Sequence, residues 1–588
     1  MRAGSLSDHE LVGLLPVVHA NLDPILIPSL DILDSIENTT TLPLCFENVT
    51  TALSSLATII RSSDFLLDTC PDLWPRIWKS MEILYLYYDC VPPRTASEVV
   101  ATHLIHSQII MKFIQHPPTA REVFAAKGVR RILAAAWATT VHHSYDAHGP
   151  RMLNSITLPL LGLYDIKGLE NFTEVVDGGS GSYDALAFTI KKSISQAVMN
   201  SKSQLAVIAI GPLLLFLQDI LKASPHFRAY LLSRGIISSL VSTLDIDGIP
   251  QATVGVPARQ INVEFCAATL MRYLDVPPAY TWTLQALQAG LLRRIITSSV
   301  NITMLEGAGK YPDLLGAVLP RSLVSHTVIA EMRKNFLELE PLARTEEFAS
   351  SPLLGHWNAL RALVDQRAQV LDAWEASGRL SSLACYNMKC NKVDERESFR
   401  RCSACSTAAY CSRECQRADW IEGHRDECGV LLSAHITFTE IGLHYHEKSF
   451  LRALVHSDYQ RLRVQISMAT LQFLAQNPDG LFFVGFDYTG INGVHCSVVP
   501  MTQLGVGLNI PHWGRLARAG GRLTLHAVRI DYGAKGTNTL FPLRATTSQF
   551  YDGLVGLAGG IRGLQPAQVE ALIRELIETT DKENTEIH

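Results

Sequence analysis

The sequence feature that most constrains the fold is a set of eight metal-ligating side chains between residues 385 and 428. They come in four pairs, Cys385-x4-Cys390, Cys402-x2-Cys405, Cys411-x3-Cys415 and His424-x3-Cys428. Short turns place two thiolates on one ion, and a three-residue spacing places both ligands on one face of a helical turn. Eight soft ligands are the number that two tetrahedral zinc sites need. The pattern therefore predicts two closed, structural zinc centres that leave no open position for a substrate.

The second half of this cluster resembles the MYND zinc finger. Between Ala409 and Cys428 the chain carries Tyr-Cys-x3-Cys-Gln, then a tryptophan, then His-x3-Cys, which is the pattern of that family. The chain departs from the family in two places. Its first pair is Cys-x4-Cys where Cys-x2-Cys is commoner, and three residues separate Trp420 from His424. Because the ligand set is complete, the resemblance predicts a MYND finger over residues 385–428 of the 588.

The resemblance also implies how the ligands are shared and where a partner binds. MYND fingers are protein-interaction modules that accept short proline-containing peptides in a shallow groove. Gln416 and Trp420 match the family positions that contact such peptides. A place in the core of the finger is the competing interpretation of Trp420, and Tyr410 is expected in that core. The interleaved arrangement of the family assigns Cys385, Cys390, Cys411 and Cys415 to one ion, and Cys402, Cys405, His424 and Cys428 to the other.

The charge of the finger argues against a nucleic-acid partner. Residues 385–428 hold eight Lys or Arg and eight Asp or Glu. Seven thiolates against two Zn²⁺ add three negative charges, so the module is slightly negative. A DNA-binding domain needs surplus positive charge to displace counterions from the phosphates. The partner is therefore expected to be a protein or peptide.

A helical array is predicted ahead of the finger, over residues 1–355. Apolar residues recur there at spacings of three and four. A proline that opens one helix is followed by a glycine and then by a second apolar helix, in three places. This pattern resembles the end of an armadillo-type repeat, and an ordinary multi-helix domain is the alternative. The proline and glycine pairs are Pro118 and Gly128, Pro225 and Gly235, and Pro278 and Gly290.

The rest of the chain completes a multidomain, mainly α-helical prediction. A connecting helix over residues 356–384 leads into the finger, and a small α/β domain follows over 429–588. Strands are predicted at 481–488, 494–499, 522–531 and 539–544, and Pro566 opens a final amphipathic helix. This layout also resembles MYND proteins of mushroom-forming fungi, a likeness that implies no function.

Composition predicts an intracellular protein without a membrane span. Hydrophobic residues make up 47% and charged residues 18% of the chain, which suits packed cores, and the net charge of −5 gives no attraction to anionic lipid. The longest apolar run, residues 205–217, is too short to cross a bilayer and is expected to be a buried helix. The dense cysteine cluster indicates metal in a reducing compartment rather than disulfides. Nothing in the sequence separates the cytoplasm from the nucleus.

The most direct interpretation is a non-enzymatic protein–protein interaction adaptor, and two alternatives stay open. The first is a SET-like protein lysine methyltransferase that uses S-adenosylmethionine. It is suggested by the fragments Asn492-Gly-Val-His495-Cys496 and Ile530-Asp-Tyr-Gly533, for which a β-hairpin with Asn-Gly at its turn is the simpler explanation. The second is a scaffold whose helical array is the main partner-binding surface.

Overall fold

The chain forms two compact units, Met1–Thr269 and Leu270–His588. The computed structural model describes residues 8–22, 42–62, 67, 72–86, 95–143, 159, 163, 168–200, 204–244, 256–299, 310–377, 382–440, 444–490, 493–503, 519–531, 533 and 536–588.

Every element described in the first unit is a helix. Two of the predicted glycine turns are described here: Gly128 has φ 92° just before the helix Val129–His143, and Gly235 has φ 75° just before the helix Ile236–Thr243. Only glycine adopts this left-handed conformation without strain. The helices are α1 (Asp8–Asn21), α2 (Leu42–Ser62), α3 (Leu73–Leu86), α4 (Ala96–Gln115), α5 (Pro117–Ala125), α6 (Val129–His143), α7 (Gly168–Gly178), α8 (Tyr183–Met199), α9 (Gln204–Ala223), α10 (Phe227–Ser233), α11 (Ile236–Thr243) and α12 (Val256–Leu274), whose last turn enters the second unit.

The long apolar run of the sequence lies in α9. Leu213, Leu214, Phe216 and Leu217 are fully buried, so this helix belongs to the core of the first unit, as predicted. No helix in the described parts of the chain is long and apolar enough to cross a bilayer. The armadillo resemblance of these hairpins is compatible with the arrangement and stays a prediction.

The second unit begins with more helices of the same kind. Gly290, with φ 88°, separates two of them in the way that Gly128 and Gly235 do in the first unit. A π-helical turn at Leu314–Val318 joins two short helical pieces. The helices are α13 (Ala279–Gln288), α14 (Leu291–Ser299), α15 (Tyr311–Asp313), α16 (Leu319–Arg321), α17 (His326–Ala343), α18 (Glu346–Ala349) and α19 (Leu354–Ala376).

The predicted connecting helix is α19, and it packs on α22 (Tyr445–Gln476). The Trp374 indole donates a hydrogen bond to Ser449 Oγ over 3.2 Å. The buried Arg367 guanidinium lies 3.3 Å from the buried carboxylate of Asp458, so an ion pair links the two helices in their shared interior. This helix ends at Ala376, and residues 378–381 lie outside the described residues.

A mixed five-stranded sheet forms the centre of the C-terminal domain. All four predicted strands are confirmed, and they are β5 (Phe482–Asp487), β6 (His495–Pro500), β7 (Leu523–Asp531) and β8 (Gly536–Ala545). A short fifth strand, β9 (Glu586–Ile587), was not predicted. The order is β6-β5-β7-β8-β9, with β5 and β7 parallel and the other neighbours antiparallel.

Helices that follow the sheet share a core with α22. They are α23 (Gln549–Ala558) and α24 (Pro566–Thr580), the helix that Pro566 was predicted to open. Leu471 of α22, Leu554 of α23 and Ile573 of α24 pack together. The mainly α fold with a C-terminal α/β part is thus as predicted. The boundaries at residues 355, 384 and 428 remain a proposal, and α13–α19 lie in the same compact unit as the finger and the sheet.

Candidate zinc finger and peptide-binding surface

Two small hairpins and a helix build the finger. Its strands are β1 (Leu383–Ala384), β2 (Val393–Asp394), β3 (Arg400–Arg401) and β4 (Ala409–Tyr410), with β1 paired to β2 and β3 paired to β4. Helix α20 (Arg413–Asp419) follows, then a π-helical turn at Trp420–His424, and then α21 (Arg425–Glu440). Ser412 caps α20 by accepting a hydrogen bond from the backbone N–H of Cys415 over 3.2 Å. The cap fixes the turn that carries Cys411 and Cys415.

The first ligand group joins the first hairpin to the start of α20. It consists of Cys385, Cys390, Cys411 and Cys415, whose sulfur atoms all lie within 4.8 Å of one another. The Cys390 and Cys411 sulfurs are 3.7 Å apart, and those of Cys411 and Cys415 are 3.6 Å apart. Cys385 is held at the hairpin by its backbone N–H, which donates to the Lys392 carbonyl over 2.9 Å.

The second ligand group joins the turn before β4 to the start of α21. It consists of Cys402, Cys405, His424 and Cys428, all buried, with ligand atoms within 4.8 Å of one another. The Cys402 and Cys428 sulfurs are 3.9 Å apart, and the Cys405 sulfur is 3.8 Å from His424 Nε2. The structure thus brings the eight side chains together in the two interleaved sets that the family resemblance implies.

These separations fit tetrahedral zinc. With Zn–S bonds of about 2.3 Å, the sulfurs of a tetrahedral site lie roughly 3.8 Å apart. The observed sulfur separations of 3.6 to 3.9 Å match this value and are far too long for disulfides, whose sulfurs bond at about 2.05 Å. The first group is four thiolates and the second is three thiolates with an imidazole. Such closed sets stabilise a fold and do not activate water.

Burial sets the protonation of the thiols before metal binds. It raises the pKa of Cys428 to about 12, with the charges of Cys405 and Cys402 adding to the effect. Burial also raises the pKa of Cys411 to about 11. Both thiols therefore carry protons at neutral pH until the metal displaces them, so zinc uptake releases protons.

Tyr410 lies in the core of the finger, as predicted. Its ring is buried against the second ligand group, 5.9 Å from the His424 ring. Its hydroxyl donates a hydrogen bond to the buried Asp419 carboxylate over 2.7 Å. This contact joins β4 to the end of α20, so Tyr410 holds the finger together and offers no surface to a partner.

Trp420 is on the surface, with 40% of its side chain exposed. Its ring still contacts the His424 ring at a centroid distance of 5.7 Å, so the ring rests partly on the second ligand group and is partly open to solvent. Gln416 is half-buried one turn earlier on α20. Ile421, which sequence reasoning missed, is 84% exposed beside Trp420. The one sequence feature that could have indicated this exposure is the position of an isoleucine in a segment otherwise rich in charged residues.

Gly423 accounts for the second departure from the family pattern. The turn between Trp420 and His424 is π-helical, and Gly423 has φ 153° within it. A side chain there would strain the backbone, so glycine absorbs the longer spacing and still delivers His424 to its site.

The first departure is explained by contacts with the sheet. The longer loop of the Cys-x4-Cys pair carries Met388, which packs with Phe483, Leu523 and Leu525 in a common core. Arg544 on β8 donates hydrogen bonds to the carbonyl oxygens of Cys385 and Cys390, over 2.8 and 3.4 Å. Arg522 donates to the Met388 carbonyl and to the Asn391 side chain.

The fragments behind the methyltransferase alternative lie on the sheet. β5 and β6 form an antiparallel hairpin in which Asp487 pairs with His495, as the simpler explanation predicted, and Gly493 has φ 86° in its connection. Cys496 is half-buried, and burial together with the charge of Asp458 raises its pKa to about 12. Such a thiol is a poor nucleophile. Asn492 and Tyr532 lie outside the described residues.

Comparison with known proteins identifies the finger. The MYND finger family matches residues 385–428. An F-box protein from Arabidopsis thaliana is 40% identical over 66 residues, which are 10% of this chain and 20% of that protein. The chain therefore spans about a fifth of the length of that relative. No solved structure matches the chain. The protein carries a two-zinc MYND finger, a domain that generally mediates protein–protein interaction.

Proposed function

We propose that the protein is an intracellular adaptor whose MYND finger binds a short, proline-containing segment of a partner protein. The observation that carries the proposal is the exposed pair Trp420 and Ile421, which stands on a surface fixed by the second ligand group. We further propose that the eight grouped side chains are the zinc ligands. Thiol ligands of this kind suit a reducing compartment.

The chemistry of this surface suits an extended peptide. An indole ring supplies a large, rigid contact area on which proline rings can pack. Because an extended proline-rich segment is already ordered, its binding costs little conformational entropy. Ile421 enlarges the apolar area. The Gln416 amide, one turn away from Trp420, can both donate and accept, as reading of a peptide backbone requires. Gln416 and Trp420 would then select backbone geometry and apolar side chains rather than charge.

The same centres support a non-enzymatic role for the finger. Both ligand groups use all four tetrahedral positions, so a bound zinc has no place for a substrate or an activated water. The finger balances its basic and acidic side chains, which gives no electrostatic attraction to nucleic acid. A protein partner is what these features favour.

Peptide binding by the full-length, zinc-loaded chain tests the proposal. The probe is an array of 12-residue peptides with one or two central prolines in varied apolar and polar surroundings, together with the same peptides in which alanine replaces proline. Trp420→Ala should weaken binding of the selected peptides by at least about tenfold. Leu337→Ala, which removes another exposed apolar side chain from the same unit, is the matched control and should change nothing. Equal binding by wild type and Trp420→Ala would refute the proposal.

A second candidate site lies on the first unit. Phe188 and Tyr230 are each about two-fifths exposed, and the Arg234 guanidinium lies 5.9 Å from the Phe188 ring centre. Exposed aromatic side chains on a helical array favour the scaffold alternative. Partner capture by full-length Tyr230→Ala and Trp420→Ala separates the two. Loss only in Tyr230→Ala would assign partner binding to the array.

A further inference from the structure

A small cavity lies between helix α22, the C-terminal sheet and helix α23, and it is partly open to solvent. Its volume is about 50 Å³. Since one water molecule needs roughly 10–15 Å³ of such space, the cavity has room for a molecule of about three to five non-hydrogen atoms. It lies within the second compact unit and shares no residue with the zinc ligands or the Trp420 surface.

Most of the cavity wall is apolar. Phe482 on β5, Leu543 on β8 and Phe550 on α23 contribute to it, and Ser467 on α22 adds a small side chain. Sites for small molecules are typically apolar, with a few polar groups that fix the orientation of the ligand. The polar groups of this wall therefore indicate which ligand the cavity suits.

Three polar atoms on the wall are buried and make no hydrogen bond to the residues that the structure describes. They are His526 Nε2, Thr547 Oγ1 and Glu586 Oε2. The other ring nitrogen of His526, Nδ1, lies 2.6 Å from His588 Nε2, so only Nε2 is left for a further partner. Buried polar groups are nearly always hydrogen-bonded, because an unmatched one loses its contacts with water for nothing in return. Three unmatched atoms on one cavity therefore indicate a ligand that supplies their partners.

The charged groups beside the cavity already balance one another. Arg463 lies 2.8 Å from the Asp581 carboxylate and 3.4 Å from that of Glu586. The Arg522 guanidinium, which also lies on the wall, donates hydrogen bonds to the first loop of the finger. Burial lowers the pKa of His526 to about 3, so its ring is neutral at pH 7. Two arginines thus face two carboxylates, and a charged ligand would be buried without an opposite charge of its own.

The size of the cavity, its apolar wall and its balanced charge together point to a small uncharged ligand, and we propose that it binds a short-chain alcohol or diol. A hydroxyl group donates and accepts, so it can donate to Glu586 Oε2 and bond His526 Nε2 or Thr547 Oγ1 in either direction. The alkyl part of the alcohol packs on the apolar wall. This site is separate from the Trp420 surface and does not depend on the peptide proposed there.

The test uses the full-length, zinc-loaded protein and saturation-transfer NMR, which detects weak binding through the signals of the ligand. The probes are propan-1-ol, propane-1,2-diol and two charged compounds of similar size, propylammonium and propionate, at equal concentration and pH 7. Both alcohols should receive saturation from the protein, and the charged compounds should not. Equal saturation of the charged compounds would contradict the proposal, because it would show contact that does not distinguish charge.

A cavity-filling variant locates the binding. Ser467→Leu places a larger side chain in the cavity and should abolish binding of both alcohols. Gln460→Leu adds the same side chain at an exposed position of α22 outside the cavity, and this control should bind like the wild type.

A second variant tests the hydrogen bond. Thr547→Val keeps the shape of the side chain and removes the hydroxyl, so it should weaken binding of propan-1-ol about threefold or more. Because this hydroxyl has no partner in the described protein, the thermal stability of Thr547→Val should not fall. Thr579→Val, which removes an exposed hydroxyl on α24, is the matched control. Thr547→Val carries the test if Ser467→Leu fails to fold. Absence of binding by the wild type, or wild-type affinity in Thr547→Val, would overturn the proposal.

Discussion

Arg544, on a strand of the C-terminal sheet, donates a hydrogen bond from Nη1 to the carbonyl oxygen of Cys385 over 2.8 Å. The two residues are 159 positions apart, and one of them lies in the first ligand group. A second contact from the same guanidinium reaches the Cys390 carbonyl. The sheet therefore holds the backbone of the loop that presents two thiolates, so the first zinc centre and the C-terminal domain stabilise each other.

Replacing Arg544 should loosen the first zinc centre. Arg544→Ala leaves two carbonyl groups without a charged donor, and such hydrogen bonds contribute about 1.5–3 kcal/mol each. We expect one of the two zinc ions to be released about ten times faster to a chromogenic chelator, while the other keeps the wild-type rate. Arg574→Ala, which removes an arginine paired with Glu570 on the surface of α24, serves as the control. Unchanged release of both ions would show that Arg544 does not support the site.

Zinc removal should disorder the finger and weaken the sheet beside it. The segment has little apolar core of its own, and structural zinc supplies about 10 kcal/mol or more to finger peptides. Met388 also contributes to the core around Phe483 and Leu523. After chelation, hydrogen exchange should become fast over residues 385–428 and faster in β7 and β8, with the helices of the first unit unchanged. A finger that stays protected without metal would contradict the two-zinc interpretation.

Local spacing made the finger and the strands predictable. The ligand pairs are separated by two to four residues, so a single turn or helix brings each pair together. In β7, Leu523 and Leu525 are buried on one face and Val528 and Ile530 on the other, and a more polar residue separates the members of each pair, so a strand pattern is visible in the letters alone. Strand β9 has only two residues, which is too short to show any alternation.

Contacts between distant segments could not be predicted in this way. Nothing near Arg544 indicates that it reaches the finger, and nothing near Arg396 indicates that it will stack on Tyr445. The Cys-x4-Cys spacing showed that the first loop was longer than usual. That Met388 of this loop packs against the sheet depends on tertiary structure and was not visible in the sequence. The sequence likewise could not show whether Trp420 lies on the surface of the finger or in its core, because its exposure depends on the fold.

Replacing Tyr410 should mainly lower the stability of the finger, whereas replacing Trp420 should mainly weaken peptide binding. Tyr410→Phe leaves the buried Asp419 carboxylate without the hydroxyl donor at 2.7 Å and should cost about 1–3 kcal/mol of unfolding free energy. Trp420→Ala removes a ring that is 40% exposed and should cost less than Tyr410→Phe. Thermal unfolding and peptide binding of both variants check this. A larger loss of stability in Trp420→Ala would make that ring a core residue after all.

Replacing Gly235 should destabilise the first unit because of the backbone conformation of this residue. An added Cβ would lie 3.6 Å from Lys191 Nζ, which is an ordinary contact, so the strain comes from φ 75° alone. Gly235→Ala should therefore destabilise the first unit by about 1–2 kcal/mol. Gly556→Ala is the matched variant, because Gly556 lies inside α23 with open space around an added Cβ. It should stabilise by about 0.5–1 kcal/mol. Hydrogen exchange measured in each unit distinguishes the two effects.

The buried histidine chain of the C-terminal domain should make stability fall in acid. His526 Nδ1 lies 2.6 Å from His588 Nε2, and His588 Nδ1 lies 3.0 Å from His456 Nδ1. Burial and the charge of His456 lower the pKa of His526 to about 3. In the unfolded chain His526 binds a proton near pH 6.5, whereas in the folded chain it stays neutral until about pH 3. The unfolded state therefore gains protons first, and stability declines as pH falls below about 6.5.

One histidine shifted in this way loses about 1.4 kcal/mol of stability between about pH 7.5 and about pH 5.5. Urea unfolding of wild type and His526→Leu at both pH values, with zinc supplied equally, measures the difference. The variant should show a pH dependence smaller by that amount. His495→Leu removes an exposed histidine on β6 and should keep the wild-type slope. If His526→Leu also keeps it, the acid sensitivity arises elsewhere, and protonation of the zinc ligands becomes the first place to look.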